Sequence, residues 1–187
     1  EDERISIAIN ADSIATWALD ALGELARRNL PLEIITDDQD FTHEWLREGQ
    51  VLGCVTTLKR ALRGCRVVAL GAMDYVAVVT AETLGRRCPN GFTARNLRHV
   101  TLNQRFVPHS EGQVRAVLAG WGASVVPEML VRGWGSSGEL CNLFPSVTLP
   151  LNLYWHCWNL DSSVLASLSA AITSAAAKQL RQVASDD

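Results

Sequence analysis

The residues best placed to bind a ligand lie in the stretch Ile5–Trp17, where a predicted buried strand runs directly into a predicted amphipathic helix. Asn10, Asp12, Ser13 and Thr16 lie where the strand meets the helix. The free N–H groups at a helix start and the positive end of its dipole both favour an anion, so a small ligand that carries a carboxylate would fit there. The alternative is structural, because Asp12 or Ser13 is a good N-cap residue and Ser13 could cap the helix and do nothing else.

Alternating strands and helices position this turn. The first helix is predicted over Asp12–Arg28. It is followed by a strand over Leu32–Thr36, an acidic turn over Asp37–Asp40, a short helix over Phe41–Glu48 and a third strand over Val51–Thr57. This order predicts a parallel sheet with helices on its faces. Ligands of such sheets lie beyond the carboxyl ends of the strands, and Thr56 and Thr57 are at that end of the third strand.

Two long apolar runs predict that the chain passes from one lobe to another and back. The first is Cys65–Val79, with Gly71 in its middle, and the second is Val147–Trp158. We therefore predict an α/β fold with two Rossmann-like lobes joined by two crossing strands. One lobe comprises residues 1–72 plus 154–187, and the other comprises residues 73–153.

The second predicted lobe contains one awkward junction. One segment that resembles a strand ends at Arg105, and another begins at Phe106. Neighbouring parallel strands, however, need a crossover of about a dozen residues or more between them. We predict that a segment is absent between these two residues, with a tight antiparallel turn as the alternative. Beyond the junction, Ser110 is the predicted cap of a helix over Glu111–Ala119.

Composition limits the classes of function. The 187 residues have a net charge of −3 and no dominant basic stripe, which argues against nucleic-acid binding by this piece. No apolar run approaches the length of a membrane span, and the first residues lack the apolar core of a signal peptide. The sequence does not begin with Met, so we expect an internal fragment of a longer protein.

No catalytic or metal-binding motif is evident in the sequence. The five cysteines include no C-x-x-C pair, and the four histidines show no H-E-x-x-H spacing. Nucleophile-elbow, Walker and dinucleotide fingerprints are also missing. We therefore predict no metal, no catalytic residues and no enzymatic turnover.

Several motifs together resemble one known family. They are ISIAINADSIATW, the acidic turn DDQD, LREGQVLGCVTT, the SEG of HSEGQ, GWGASVVPEML, SGEL and LYWHCWNLDS. They resemble the effector-binding domain of LysR-type transcriptional regulators, most closely the LysG/ArgP branch, which senses basic amino acids and controls lysine or arginine export. The resemblance implies a fold of the periplasmic-binding-protein type II kind. The family's N-terminal winged helix-turn-helix and linker helix are not present in this chain.

The resemblance also implies an effector pocket between the lobes, and the chemistry of a basic amino acid then suggests roles. The effector carboxylate suits Ser13 and Thr16, and Asp12 suits the α-ammonium group. The cationic end needs carboxylates, for which Asp38 and Asp40 are candidates. Other candidate contacts are Glu111 for the cationic end, Ser110 as a second anion-binding point, Thr56 and Thr57 at the strand ends, and Trp17 and Trp121 as walls around the aliphatic tail.

Each assignment has an ordinary structural alternative. Acidic turns are commonly solvated, and Glu111 could do no more than favour the helix dipole. Thr56 and Thr57 could be ordinary strand residues. The side chains of Trp17 and Trp121 could belong to the core.

These interpretations predict an effector-sensing domain of a cytoplasmic regulator. It would bind L-lysine, L-arginine or also L-histidine, use no other cofactor, and control expression of an amino-acid exporter. A homodimer or homotetramer is expected, with DNA contacted only through the absent N-terminal domain and no contact with a membrane. The competing classes are a periplasmic-type solute-binding protein and an enzyme of the same fold, such as a dehydratase or deaminase.

Overall fold

The computed structural model describes residues 4–102 and 107–184, and the chain divides into two compact units. Unit 1 comprises Glu1–Met73 and Leu151–Asp187, and unit 2 comprises Asp74–Pro150. Two long strands, β4 (Cys65–Thr80) and β7 (Leu149–Trp158), carry the chain past the unit boundaries. The predicted junction between Arg105 and Phe106 lies outside the described residues.

Unit 1 is built on three parallel strands. Its elements are β1 (Ile5–Asn10), α1 (Ala11–Ser13), a π-helical turn (Ile14–Ala18), α2 (Leu19–Arg27), β2 (Leu32–Asp37), α3 (Thr42–Arg47), β3 (Gly53–Thr56) and α8 (Ser163–Gln179). Strand β1 pairs in parallel with β2 on one side and with β3 on the other, which confirms the predicted parallel order. Strand β7 pairs with β3 in antiparallel register, with Cys54 opposite His156.

Apolar side chains on both faces explain why β1 lies at the centre of unit 1. Ile7, Ala8 and Ile9 are all fully buried, as expected for a strand with helices on both faces of the sheet. The 3.6-residue spacing of the apolar positions in α8 puts its buried side chains on one stripe of the helix. These side chains are Leu165, Leu168, Ile172 and Ala176.

The junction of β1 with the first helix differs from the prediction. The helix begins at Ala11, preceded by Asn10 in extended conformation (φ −63°, ψ 147°), so the prediction that Asp12 or Ser13 is its N-cap is wrong. The helix also passes through a π-helical turn, Ile14–Ala18, before it continues as α2. Such insertions are rare in helices and are frequent at functional sites.

Unit 2 packs helices on both faces of an antiparallel sheet. Its remaining elements are α4 (Ala81–Arg87), a 3₁₀ turn (Ala94–Asn96), α5 (Leu97–Val100), α6 (Ser110–Leu118), β5 (Ser124–Pro127), α7 (Glu128–Gly135) and β6 (Leu140–Asn142). Strand β4 pairs with both β5 and β6. Alternate residues of β4 face opposite ways, so Val76 and Val78 pack with Val117, whereas Val79 packs with Val100.

Candidate functional site

The loops that follow β1, β2 and β3 meet at one edge of the unit 1 sheet. Asn10, the last residue of β1, lies opposite Asp37, the last residue of β2. On the other side, Ala8 lies opposite Cys54, so the same register brings Thr56 level with Asn10. The parallel order therefore gathers the first turn, the acidic turn and the threonines of unit 1, as the sequence predicted.

The acidic turn is held by its own side chains. Asp37 accepts from the backbone N–H of Asp38 at 2.8 Å and from the indole N–H of Trp45 at 2.9 Å, so both of its carboxylate oxygens are engaged. Asp38 accepts from the backbone N–H of Asp40 at 3.0 Å. Asp38 and Asp40 are exposed. The turn thus presents two carboxylates on a fixed backbone.

The two threonines at the end of β3, Thr56 in the strand and Thr57 directly after it, brace the acidic turn. Thr56 is buried and its hydroxyl donates to the carbonyl of Gln39 at 3.0 Å. The hydroxyl of Thr57 donates to Oδ1 of Asp40 at 2.7 Å. Each hydroxyl has one proton to donate, and both protons are therefore used within the protein. A direct contact of either threonine with a ligand stays a prediction.

Two polar side chains at the end of β1 are fully buried without a hydrogen-bond partner among the described residues. They are Asn10, with both its amide oxygen and its amide nitrogen, and Ser13, with its hydroxyl. Buried polar atoms are nearly always hydrogen-bonded, because losing water without gaining a partner costs about 1–3 kcal/mol per group. The sequence placed Asn10 at this turn, as a polar residue that closes an apolar strand, but it was not among the predicted ligand-binding residues.

Replacing Ser13 by alanine is expected to raise the free energy of unfolding by about 1 kcal/mol or more, since it removes a buried hydroxyl that no group in the described part of the chain satisfies. Chemical denaturation measures this change. The matched control is Thr42→Val, because the Thr42 hydroxyl is also fully buried but donates to the carbonyl of Val55 at 2.6 Å. The control should be destabilised, and the prediction is wrong if both variants lose stability equally.

The other predicted residues of the first turn have different surroundings. The hydroxyl of Thr16 donates to the carbonyl of Asp12 at 2.6 Å, as Thr does when it bonds one helical turn back. Trp17 is only 1% exposed and lines a groove of about 600 Å³ between α2 and α8. The roles of Asp12, Thr16 and Trp17 in ligand binding stay predictions. The side chain of Trp17 belongs to the buried core.

The predicted site residues of unit 2 lie at the start of α6 and beyond its end. Ser110 is the first residue of this helix and is 8% exposed, so the prediction that it caps the helix from outside is wrong. The residue before it, His109, has φ 61° and ψ 141°, which is a strained conformation for a residue other than glycine. Glu111 is exposed, and Trp121 is 47% exposed. Ligand contact by any of these stays a prediction.

Two further observations concern the described part of the chain, residues 4–102 and 107–184. Within it, no cluster of three or more His, Cys, Asp or Glu side chains could hold a metal ion, and no helix is long and apolar enough to cross a membrane. Burial raises the pKa of Cys54 to about 12, so this thiol stays protonated and is a poor nucleophile.

The geometry defines a class of protein, namely an α/β domain with polar side chains gathered at the carboxyl ends of parallel strands, where domains of this kind place their ligands. Comparison with known proteins is more specific, although no family model matches the chain. The chain is 35% identical to the transcriptional regulator ArgP of Pseudomonas aeruginosa, over 97% of this chain and 68% of that protein. It is 34% identical to the regulator LysG of Mycobacterium tuberculosis, over 92% of this chain and 64% of that protein.

Solved structures agree. The C-terminal domains of a LysR family protein from Agrobacterium tumefaciens match with a TM-score of 0.88 and 33% identity, over 96% of this chain and 99% of that one. ArgP from Mycobacterium tuberculosis matches with a TM-score of 0.85 and 36% identity, over 95% and 67%. Full-length LysG from Corynebacterium glutamicum, solved with its effector Arg bound, matches with a TM-score of 0.86 and 28% identity, over 96% and 70%.

The chain belongs to the LysR-type transcriptional regulators and is a relative of their ArgP and LysG members. It spans about two thirds of the length of those curated relatives. The predicted family and the predicted two-lobed, periplasmic-binding-protein type II fold are confirmed. The relatives are transcriptional regulators and not enzymes, which decides against the dehydratase or deaminase alternative.

Proposed function

We propose that this chain is the effector-sensing part of its regulator and that it binds a free basic amino acid, L-lysine or L-arginine, with L-histidine as a further candidate. The effector is the only small molecule that the proposed function requires. The proposed output is control of the expression of an amino-acid exporter. This output would act through a DNA-binding domain outside the chain, in a cytoplasmic homodimer or homotetramer.

One observation carries the proposal. The carboxyl edge of the unit 1 sheet combines buried polar groups on Asn10 and Ser13, which have no partner among the described residues, with two exposed carboxylates on Asp38 and Asp40. An amino acid with a cationic side chain offers a carboxylate and an ammonium group at one end and a positive charge at the other. Such a ligand supplies partners to both kinds of group at once.

The roles follow from charge and position. The Ser13 hydroxyl and the helix start suit the effector carboxylate, and Asp12 suits the α-ammonium group. Asp38 and Asp40 suit the cationic end, because hydrogen bonds between ionised groups are about twice as strong as neutral ones. Ser110 and Glu111 of unit 2 are included in the proposal on the family resemblance alone. The LysG structure with bound Arg supports an effector of this class.

A bound effector can regulate only through its differential affinity for two conformations of the protein. The sensing role therefore requires that the effector favour one arrangement of the regulator over another. An effector that binds only the folded chain also raises its stability, by about 2.7 kcal/mol at a concentration one hundred times its Kd. This gives a second readout of binding that does not depend on DNA.

The test is isothermal titration calorimetry of this chain with lysine, arginine and histidine, each against a neutral analogue such as norleucine for lysine and citrulline for arginine. Asp38→Asn and Asp40→Asn are each expected to weaken lysine or arginine binding about tenfold, since each removes one charge from the cation site. Ser13→Ala should weaken binding of charged and neutral analogues alike, because both carry the same carboxylate.

Asp20→Asn is the matched control, since Asp20 is an exposed acid of unit 1 that lies on the groove between α2 and α8. It should leave affinity unchanged. Tight binding of a neutral amino acid, with none of lysine or arginine, would refute the basic-effector proposal. Unchanged lysine affinity in Asp38→Ala and Glu111→Ala would remove those two carboxylates from the site.

A further inference from the structure

A buried histidine on β7 contacts the segment that follows β3. His156 is fully buried and lies opposite Cys54. Its Nε2–H donates to the carbonyl of Leu58 at 2.5 Å. A carbonyl can only accept, so Nε2 carries the proton in this contact. Its Nδ1 is buried and has no hydrogen-bond partner within the described residues.

The contact with Leu58 continues into the acidic turn through a series of hydrogen bonds. The backbone N–H of Leu58 donates to the Thr56 hydroxyl at 3.4 Å, and the Thr56 hydroxyl donates to the carbonyl of Gln39 at 3.0 Å. The Thr57 backbone N–H also donates to Gln39, at 3.3 Å, and its hydroxyl donates to Asp40 at 2.7 Å. The imidazole is thus joined to the Asp40 carboxylate by one connected set of contacts.

We propose that His156 is a positioning residue for the cationic end of the effector, because its contact with the Leu58 carbonyl fixes the segment whose threonines aim the Asp40 carboxylate. This inference rests on the proposed function. His156 does not touch the effector in this scheme. It holds the strand-end segment in register, and Thr57 transmits that position to Asp40.

The surroundings of His156 keep its imidazole neutral. Burial lowers its pKa, the hydrogen bond to Leu58 opposes that lowering, and His43 on α3 adds to it. Titratable groups nearby include Glu44, which pairs with His43, and Cys54, which lies opposite His156 and whose thiol stays protonated. A second proton would have to sit on the buried Nδ1, where no described group accepts it.

The first test compares His156→Leu, which removes the donor, with His156→Gln, which keeps an N–H at a similar reach. The affinities of the intact chain for lysine and for norleucine are measured by calorimetry. We expect His156→Leu to weaken lysine binding about tenfold and to leave norleucine within about twofold, because only the cation site is misplaced. His156→Gln should restore lysine affinity. Equal losses for both ligands would mean a merely structural role and would overturn the proposal.

Thr57→Val tests the other end of the same set of contacts and keeps the proposal falsifiable if His156→Leu does not fold. The substitution removes the hydroxyl that donates to Asp40, and Thr57 itself is partly exposed. We expect the same loss of affinity for lysine as in His156→Leu, with the affinity for norleucine unchanged. In combination with His156→Leu the two losses should not add, since both act through Asp40. Additive losses would contradict the inference.

A third readout does not involve a ligand. Hydrogen exchange of the Thr57 and Asp40 amides should speed up in His156→Leu and stay slow in His156→Gln, since both amides belong to the braced turn. Unchanged exchange would overturn the positioning role whether or not the chain binds lysine. Failure of the intact chain to bind any basic amino acid would refute the proposed function and the effector role of His156 together, while altered exchange would still show that the histidine holds the turn.

The histidine also predicts a dependence on pH. The unfolded chain takes up a proton on His156 at higher pH than the folded chain does, because folding lowers the pKa of this group. The folded state therefore loses stability as the pH falls below the ordinary histidine pKa of about 6.5. Denaturation between about pH 7.5 and 5.5 should show this slope, which His156→Gln should reduce. An identical slope in the variant would contradict this assignment.

Discussion

Gly53→Ala is expected to lower the free energy of unfolding by about 3 kcal/mol or more. A Cβ atom at this position would lie 2.5 Å from Cζ2 of Trp155, far inside van der Waals contact. Trp155 is fully buried and its indole N–H donates to the Ser169 hydroxyl at 2.9 Å, so the ring has no free direction in which to move. Chemical denaturation of the two proteins gives the difference directly.

Two further variants isolate this clash. Gly23→Ala in α2 is the matched control, because a Cβ there meets nothing within 4 Å and alanine favours a helix over glycine by about 1 kcal/mol. It should stabilise the chain. Trp155→Phe removes the part of the ring that meets the new methyl group, so Gly53→Ala should cost less in that background. An equal cost in both backgrounds would show that the indole is not the obstacle.

Gly122→Ala is the second large expected loss, again about 3 kcal/mol or more, and it has two causes. The backbone of Gly122 has φ +144°, which a residue with a side chain rarely adopts. A Cβ would also lie 2.5 Å from the carbonyl oxygen of Thr101, which is backbone and cannot turn aside. The close approach lets the Ala123 N–H donate to the Val100 carbonyl at 2.6 Å.

Gly91→Ala separates the two causes. Gly91 has φ +96°, but a Cβ there meets nothing within 4 Å. The control should therefore lose only the penalty of a positive φ, about 1–2 kcal/mol. The excess loss in Gly122→Ala then measures the clash with Thr101. Equal losses in the two variants, by the same denaturation experiment, would show that the close approach is absent.

The candidate site combines satisfied and unsatisfied polar groups in a pattern that fits its proposed use. The hydroxyls of Thr42, Thr56 and Thr57 all donate within unit 1, and they hold the acidic turn and α3 in place. The Ser13 hydroxyl, in contrast, is buried without a partner among the residues described. Rigid neighbours and an unsatisfied polar group together are what a preorganised binding site requires, since the ligand then supplies the missing partner.

Several features were determined by the sequence alone. The alternation of apolar and polar segments fixed the parallel order of β1, β2 and β3, and that order by itself gathers the three following loops at one edge. The 3.6-residue repeat of apolar positions in α8 is enough to indicate which of its side chains are buried. The motifs ISIAINADSIATW and LYWHCWNLDS were specific enough to indicate the family. Each of these features follows from a local pattern of residue types, so the amino-acid sequence of the segment is enough to predict it.

Only the tertiary structure decided how the polar atoms are paired. Residue types at a strand end leave open whether Ser13 caps the helix or lies unpaired inside it, and the structure places the helix start at Ala11 instead. Nothing in the local sequence assigns the Thr57 proton to Asp40, seventeen residues earlier, or joins His156 to the carbonyl of Leu58. These partners are brought together by sheet register and packing, which depend on the whole of unit 1 and not on any one segment.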